Sequence, residues 1–280
     1  MNSFRRFVSS FFVLVVGFQA LCAQGPAPGA SVVRTQDPLL QVGEELEYSV
    51  SYSVFSLGTI RIRIVGVEVR NGRPVYKAQA FIDSAPGLPF VNLHVVFESE
   101  FDAEVFSYSW ISKDSSKNEI GYLSYSFDYP QNRVLIEKSI QKRGARRIVE
   151  KVDTVQVKEK SQDGLSLFFF ARKYLHQRAQ VNVPTVIGTE VVNTYINYLN
   201  EQTSVEIDAV EYPVDVIEFN GRADYSGIFG LTGGFQGWFS NDEARVPIVA
   251  RMKVILGSIY IELEKWKRAG WQPPRYVKGK

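Results

Sequence analysis

The feature that most constrains this chain is a strict two-residue alternation that sets in at residue 45. Leu46, Tyr48, Val50, Tyr52 and Val54 fall on one side, and Glu45, Glu47, Ser49, Ser51 and Ser53 on the other. Only an extended backbone sends successive side chains to opposite faces, so this is the pattern of a half-buried β-strand. Leu57-Gly58 reads as a turn. Ile60, Ile62 and Ile64 then resume the apolar face opposite Arg61 and Arg63. Asn71-Gly72 is a strong hairpin signal, because both residues tolerate positive φ. Val75, Lys77, Gln79 and Phe81 alternate with Tyr76, Ala78 and Ala80 beyond it.

The same reading places strands near 91–103, 105–112, 118–129, 132–140 and 146–158, with turn residues at Asp128 to Asn132 and Lys142 to Ala145. One helix is expected over 163–178. Asp163 is its N-cap, and Leu167, Phe170, Ala171, Tyr174 and Leu175 recur at helical spacing. Strands resume after Pro184, at 190–198, 203–210 and 213–219. Residues 226–237, with five glycines, read as a bend or bulge, and Trp238 to Asp242 as a turn. Strands at Val246–Leu256 and Ile259–Leu263 close the series. The expected fold is mainly β: a single domain of curved, largely antiparallel sheet, a half-barrel or open barrel, with one amphipathic helix.

Residues 1–23 have the form of a signal peptide. Arg5 and Arg6 precede an apolar run from Phe7 to Phe18, and Ala20 and Ala23 offer small residues for cleavage. The run is shorter than the ~20 apolar residues a spanning helix needs. Cys22 is the one cysteine, and Leu21 before it is not the small residue that a lipidation site wants. Cleavage after Ala23 leaves a chain with no thiol, which excludes a disulfide scaffold or a zinc ribbon. It also removes two of 32 Lys+Arg against 30 Asp+Glu. The formally neutral remainder argues against nucleic acid as a partner. Residues 24–41, rich in Pro, Gly, Ala and Ser, read as a flexible leader; 42–264 as the β domain; 265–280 as a basic aromatic tail. The expected compartment is the periplasm or the periplasmic face of an outer membrane.

Four segments carry a resemblance. Gly43-Glu44 precedes Leu46 and Tyr48. Asp163-Gly164-Leu165-Ser166 opens the helix, with Arg172 following. Trp238, Ser240 and Asp242 precede Val246-Pro247-Ile248. Lys253 and Gly257-Ser258-Ile259 precede Leu263. Over residues 42–264 the chain resembles the bacterial exported family of domains of unknown function numbered 3108. The resemblance implies export and a curved antiparallel sheet, loosely similar to the half-barrels of periplasmic lipoprotein carriers. It brings no biochemical activity with it.

No catalytic set stands out. His94 reads as a strand-surface residue and His176 as a cation at a helix end. There is no Gly-x-Ser-x-Gly elbow and no His-Glu-x-x-His. Glu98, Glu100, Asp102 and Glu104 alternate and read as the solvated face of a strand, with calcium or a carboxylate pair as the sharper alternative. Asp242 reads as a turn former and Trp238 as a core anchor. No metal, cofactor or catalytic residue is expected, and the chain is not expected to be an enzyme.

The leading functional expectation is binding or sheltering of an apolar ligand or lipid, lined by Tyr48, Tyr52, Phe168, Phe169 and Phe170. In the tail, Trp266, Lys267, Arg268 and Trp271 are candidates for contact with an anionic membrane surface or polymer. A structural or assembly factor of the envelope, and an integral outer-membrane β-barrel, stand as alternatives.

Overall fold

The computed structural model describes residues 38–88, 92–115, 118–224, 233–253 and 257–278. The signal peptide expected over 1–23 and nearly all of the leader lie outside them, as do Gly227 and Gly230. Fourteen strands follow one another: β1 (Glu45–Tyr52), β2 (Phe55–Arg70), β3 (Arg73–Ser84), β4 (His94–Asp102), β5 (Ser107–Asp114), β6 (Glu119–Asp128), β7 (Arg133–Lys142), β8 (Ile148–Gln156), β9 (Ala179–Ile187), β10 (Glu190–Val205), β11 (Val214–Ala223), β12 (Gly234–Ser240), β13 (Pro247–Lys253) and β14 (Ser258–Lys267). A short helix, α1 (Ser166–Phe170), lies between β8 and β9.

All fourteen form one antiparallel sheet in the order β8-β7-β6-β5-β4-β3-β2-β1-β14-β13-β12-β11-β10-β9. The chain therefore enters at the middle of the sheet, works outward to one edge, crosses to the other, and works back until β14 lies beside β1. The sheet is not closed. Its edges, β8 and β9, are consecutive in sequence and joined by residues 157–178. Odd-numbered strands all run toward one end, here the rim. The opposite end, the base, receives the approach to β1, the β8–β9 connection and the segment after β14.

Alternation decides which face is buried. Leu46, Tyr48 and Val50 of β1 and Ile60, Ile62 and Ile64 of β2 face the interior, while Glu45, Glu47, Arg61 and Arg63 face out. One core cluster runs through both halves of the sheet and α1. At the β2–β3 hairpin Asn71 and Gly72 take φ of 51° and 73°, the paired left-handed geometry expected of this dipeptide.

Several expectations need correction. The first hairpin turns at Ser53-Val54, not at Leu57-Gly58. Gly58 sits inside β2 at a register shift, where its φ of 151° brings Asp83's carbonyl so close that a Cβ would lie 2.1 Å from it. Strand β9 begins at Ala179 and runs through Pro184. A proline is tolerated there because β9 is an edge strand and the residue's missing N–H faces no ladder partner. The strands expected at 190–198 and 203–210 are one, β10, with an irregularity at Asn200, whose φ is 52°. Trp238 belongs to β12 rather than a turn. It stands half-buried on the outer face beneath the Arg251 guanidinium, 5.6 Å from the ring, while Phe239 takes the interior.

The helix expected over 163–178 is regular only at Ser166–Phe170. Beyond it Arg172 N and Lys173 N turn to carbonyls three residues back, Phe169 O and Phe170 O, and distant side chains hold the tightened turns that follow. Tyr198 Oη donates to Ala171 O at 3.0 Å, and Arg245 Nη1 to Arg172 O and Lys173 O at 3.0 and 2.6 Å. The apolar stripe survives in the turns that follow, where Ala171 and Leu175 stay buried. Order also begins earlier than Val42, since Leu39 and Leu40 are packed into the core.

Candidate functional site

An apolar cavity of about 110 Å³ lies between α1 and the central strands. Tyr48 of β1, Ile60 and Ile62 of β2, and Phe219, Phe235 and Phe239 of β11 and β12 form its sheet side. Phe168 of α1, half-exposed, and Gly164 cover it. Along β13 the lining extends from Pro247 at the base end to Met252 near the rim end. Tyr48 and Phe168 meet edge to face, ring centres 6.2 Å apart. Just two lining side chains carry polar atoms, and both are committed elsewhere: Tyr48 Oη donates to Pro247 O at 3.1 Å, and Gln236 Nε2 to Glu218 at 3.3 Å. Burial pushes the Tyr48 phenol up, which keeps it neutral. The lining therefore offers chiefly shape and dispersion.

Of the residues expected to line a ligand site, the fold brings Tyr48 and Phe168 together. Phe169 and Phe170 point into solid core, Phe169 against Phe101 at 5.4 Å and Phe170 against Phe106 at 6.0 Å between ring centres. Tyr52 packs at the rim near Gly257. Phe219, Phe235 and Phe239 were missed. Their placement depends on β11 and β12 pairing, and the glycine-rich stretch before Trp238 hides the second of these strands. Gly237 is part of the arrangement: a Cβ there would lie 2.3 Å from the Phe219 ring.

Beside the cavity a buried polar clasp ties the β8–β9 connection to the sheet. Asp163 is fully buried. Ser99 and Ser107 donate to its Oδ2 at 2.6 and 2.7 Å, and the Leu165 and Ser166 N–H groups donate to its Oδ1 at 2.7 and 2.9 Å. The N-cap position of α1 is Leu165 rather than the expected Asp163, but Asp163 still holds the first N–H groups of the helix and anchors it to β4 and β5. Burial raises its pKa, outweighing these hydrogen bonds. One residue earlier, Gln162 accepts from Val186 N at 2.9 Å and donates to Pro184 O at 3.0 Å, linking the connection to β9. The cue available in the sequence was Ser99, a polar residue on the inward face between Phe97 and Phe101.

A second buried set holds the base. Arg172, 0% exposed, grips Glu44 with two hydrogen bonds and donates twice to Ala244 O. Arg268 also reaches Glu44. Asp242 accepts from Ser240, from the Arg245 N–H and, at 2.7 Å, from Trp271 Nε1. Asp242 is thus a turn former with a long-range partner. The tail runs back along the domain: Trp271 is buried and packs on Trp266, Asp215 N donates to Pro274 O, and Tyr276 N to Pro213 O. Of the four tail residues considered for a surface contact, Arg268 and Trp271 are taken up in the fold, Trp266 is half-buried, and Lys267 is exposed.

The acidic row separates in three dimensions. Glu98 accepts from Gln79, Glu100 pairs with Arg70 and Lys77, Asp102 with Lys160, and Glu104 with Lys173. Among the described residues no group of three His, Cys, Asp or Glu is placed to hold a metal ion. His94 pairs with Asp83 at 2.8 Å on the surface. His176 lies at the end of the turns after α1, its pKa lowered by burial and by Arg245.

Fold and cavity define an open antiparallel β-barrel threaded by its own β8–β9 connection, with an apolar pocket under a short helix. The chain belongs to the family described as Protein of unknown function (DUF3108), whose model matches residues 47–264. Among solved structures it is similar to a β-barrel-like protein of the domain of unknown function DUF1849 from Brucella abortus, at 12% identity and a TM-score of 0.40, covering 82% of this chain and 98% of that one. It is also similar to a protein with a YmcC-like fold from Bacteroides fragilis, at 8% identity and a TM-score of 0.32, covering 81% and 97%. No curated protein matches the chain.

Proposed function

We propose that this is an exported envelope protein that holds an apolar ligand, a hydrocarbon chain or part of one, without transforming it. The observation that carries the reading is the cavity: its lining is apolar and its two polar side chains are spent on protein partners. At about 110 Å³ it is smaller than the ~150 Å³ cavities that take up benzene, so it suits a few methylene groups. Each buried methylene contributes about 0.8 kcal/mol. The non-enzymatic part rests on the interior carboxylates, since the oxygens of Asp163 and Glu44 are occupied by donors from the chain itself. An integral barrel is disfavoured by polarity: the apolar faces of β1 and β2 point inward and their charged faces outward, the reverse of a lipid-facing wall.

A purely structural envelope role is the second reading. It is favoured by the close packing around β4 to β6, where Phe97, Trp110 and Tyr125 are in ring contact at 5.1 and 4.6 Å. Native mass spectrometry and lipid extraction of protein purified from its own envelope separate the two. A bound species in the wild type, lost in Ala250→Phe with the melting curve retained, supports the carrier. A clean apo mass, together with no uptake of a fluorescent fatty acid, leaves the structural reading.

A further inference from the structure

Nothing so far accounts for the rim. The β1–β2 hairpin ends in Val54 and Phe55, 88% and 64% exposed, and among the described large hydrophobic residues Val54 is the most exposed. The strand directions put the β7–β8 hairpin at the same end. It carries Lys142, Arg143, Arg146 and Arg147 within six residues, and no acid between Lys138 and Val149. Ile148 and Val149 follow, 58% and 51% exposed. Arg147 is held by Glu137 and lies over the Tyr122 ring, whereas Lys142, Arg143 and Arg146 make no ion pair among the described residues. The rim's acids do not cancel them. Asp83, Glu150 and Asp224 are paired with His94, Lys138 and Arg222, and Asp114 and Glu190 lie on β5 and β10. Glu119 stands opposite Lys142 in the β6–β7 ladder, which leaves Arg143 and Arg146 as the cations with no acid facing them in register.

Exposed apolar tips and unpaired cations at the same end of one sheet have one well-matched surface. We infer that the rim docks on a bilayer containing anionic lipid, the β1–β2 tip entering the headgroup boundary and the β7–β8 hairpin binding the anionic headgroups. An apolar tip alone gains little from water-facing headgroups, and a cation cluster alone is released by salt; together they favour a surface that is charged outside and apolar just beneath. The base cannot serve, because the Glu44–Arg172–Arg268 set and the docked tail occupy it. The inference stands apart from the cavity reading: a rim that docks needs no ligand, and a cavity that fills needs no rim.

The test uses the full chain in a Cys22→Ser background, with Val54→Cys carrying an environment-sensitive nitrobenzoxadiazole label. Val69→Cys, exposed at the base end, is the control. Vesicles are phosphatidylcholine with or without phosphatidylglycerol. The label at position 54 is expected to shift to the blue and become shielded from iodide on anionic vesicles, while the label at 69 does not change. Replacing Arg143 and Arg146 together by serine is expected to weaken the response roughly 30-fold at low salt, and added salt to do likewise. A label at 54 that stays iodide-accessible on anionic vesicles overturns the proposal. So does an equal response at position 69, which would mean that binding arises elsewhere in the chain.

Discussion

Arg172 holds Glu44 by both carboxylate oxygens, at 2.6 and 3.0 Å, across 128 residues of sequence, and both side chains are sealed from solvent. Burial works against the Arg172 charge, but Glu44 outweighs it and raises the guanidinium above its ordinary range. The pair fastens the β8–β9 connection to the start of β1.

Removing the shared acid should therefore cost more than removing one base. Glu44→Gln removes the acid that both Arg172 and Arg268 contact and leaves Asp242 as a weaker counter-charge, at a cost of about 3–5 kcal/mol. Arg172→Met should cost less, because Arg268 still neutralises Glu44. Urea midpoints of the two variants check the order. The reverse order would show that Arg268 does not share the acid in solution.

Asp163 sets a dependence on pH. Its folded pKa lies above the ordinary carboxylate value because it is buried. Well below that ordinary value both folded and unfolded chains carry the proton. As pH rises toward the folded pKa the unfolded chain ionises first, so the folded state binds more protons and stability falls. Asp163→Asn lacks this slope. The wild type's stability relative to the variant should decline with rising pH and level off above the folded pKa, as read by denaturant titrations from about pH 3 to about pH 8.

Gly237→Ala should destabilise by about 1–3 kcal/mol through overpacking. The new methyl would meet Phe219 Cε1 and Cζ at 2.3 and 2.5 Å. Combining it with Phe219→Leu should cost less than the two single changes added together. Strict additivity in a double-mutant cycle would mean that the ring is not what excludes a Cβ.

The two tryptophans should part company. Trp271→Ala removes a buried indole and its hydrogen bond to Asp242, a loss of about 3–5 kcal/mol. Trp238→Ala takes away a half-buried ring on the outer face and should cost roughly 1–2 kcal/mol. Thermal melts of the two proteins compare them directly; equal losses would place both indoles in the core.

Local pattern was legible and pairing was not. Alternation in β1 to β3 and the Asn71-Gly72 turn could be read because each is decided by residues within a few positions of one another. That β1 lies against β14, or that Pro184 sits inside an edge strand, is decided by partners far along the chain. The shortness of α1 is of the same kind, since Tyr198 and Arg245 hold the tightened turns that follow it. So is the site: Tyr48 and Phe168 were marked by local aromatic and helical pattern, whereas Phe219 and Phe235 reach the cavity through a ladder that no stretch of sequence announces.

The pairing of β1 with β14 bears on how the molecule is made. Leu46 meets Trp266 at the centre of the sheet, so the join between the two halves waits for the domain's final strand to leave the ribosome or the translocon. Until then β1 presents one bare, strongly patterned edge, and everything synthesised after it must avoid that edge. Contacts of such long sequence separation form slowly, over milliseconds to seconds in small β proteins. During that interval a chaperone that masks β1 would keep its open edge from pairing with the wrong strand.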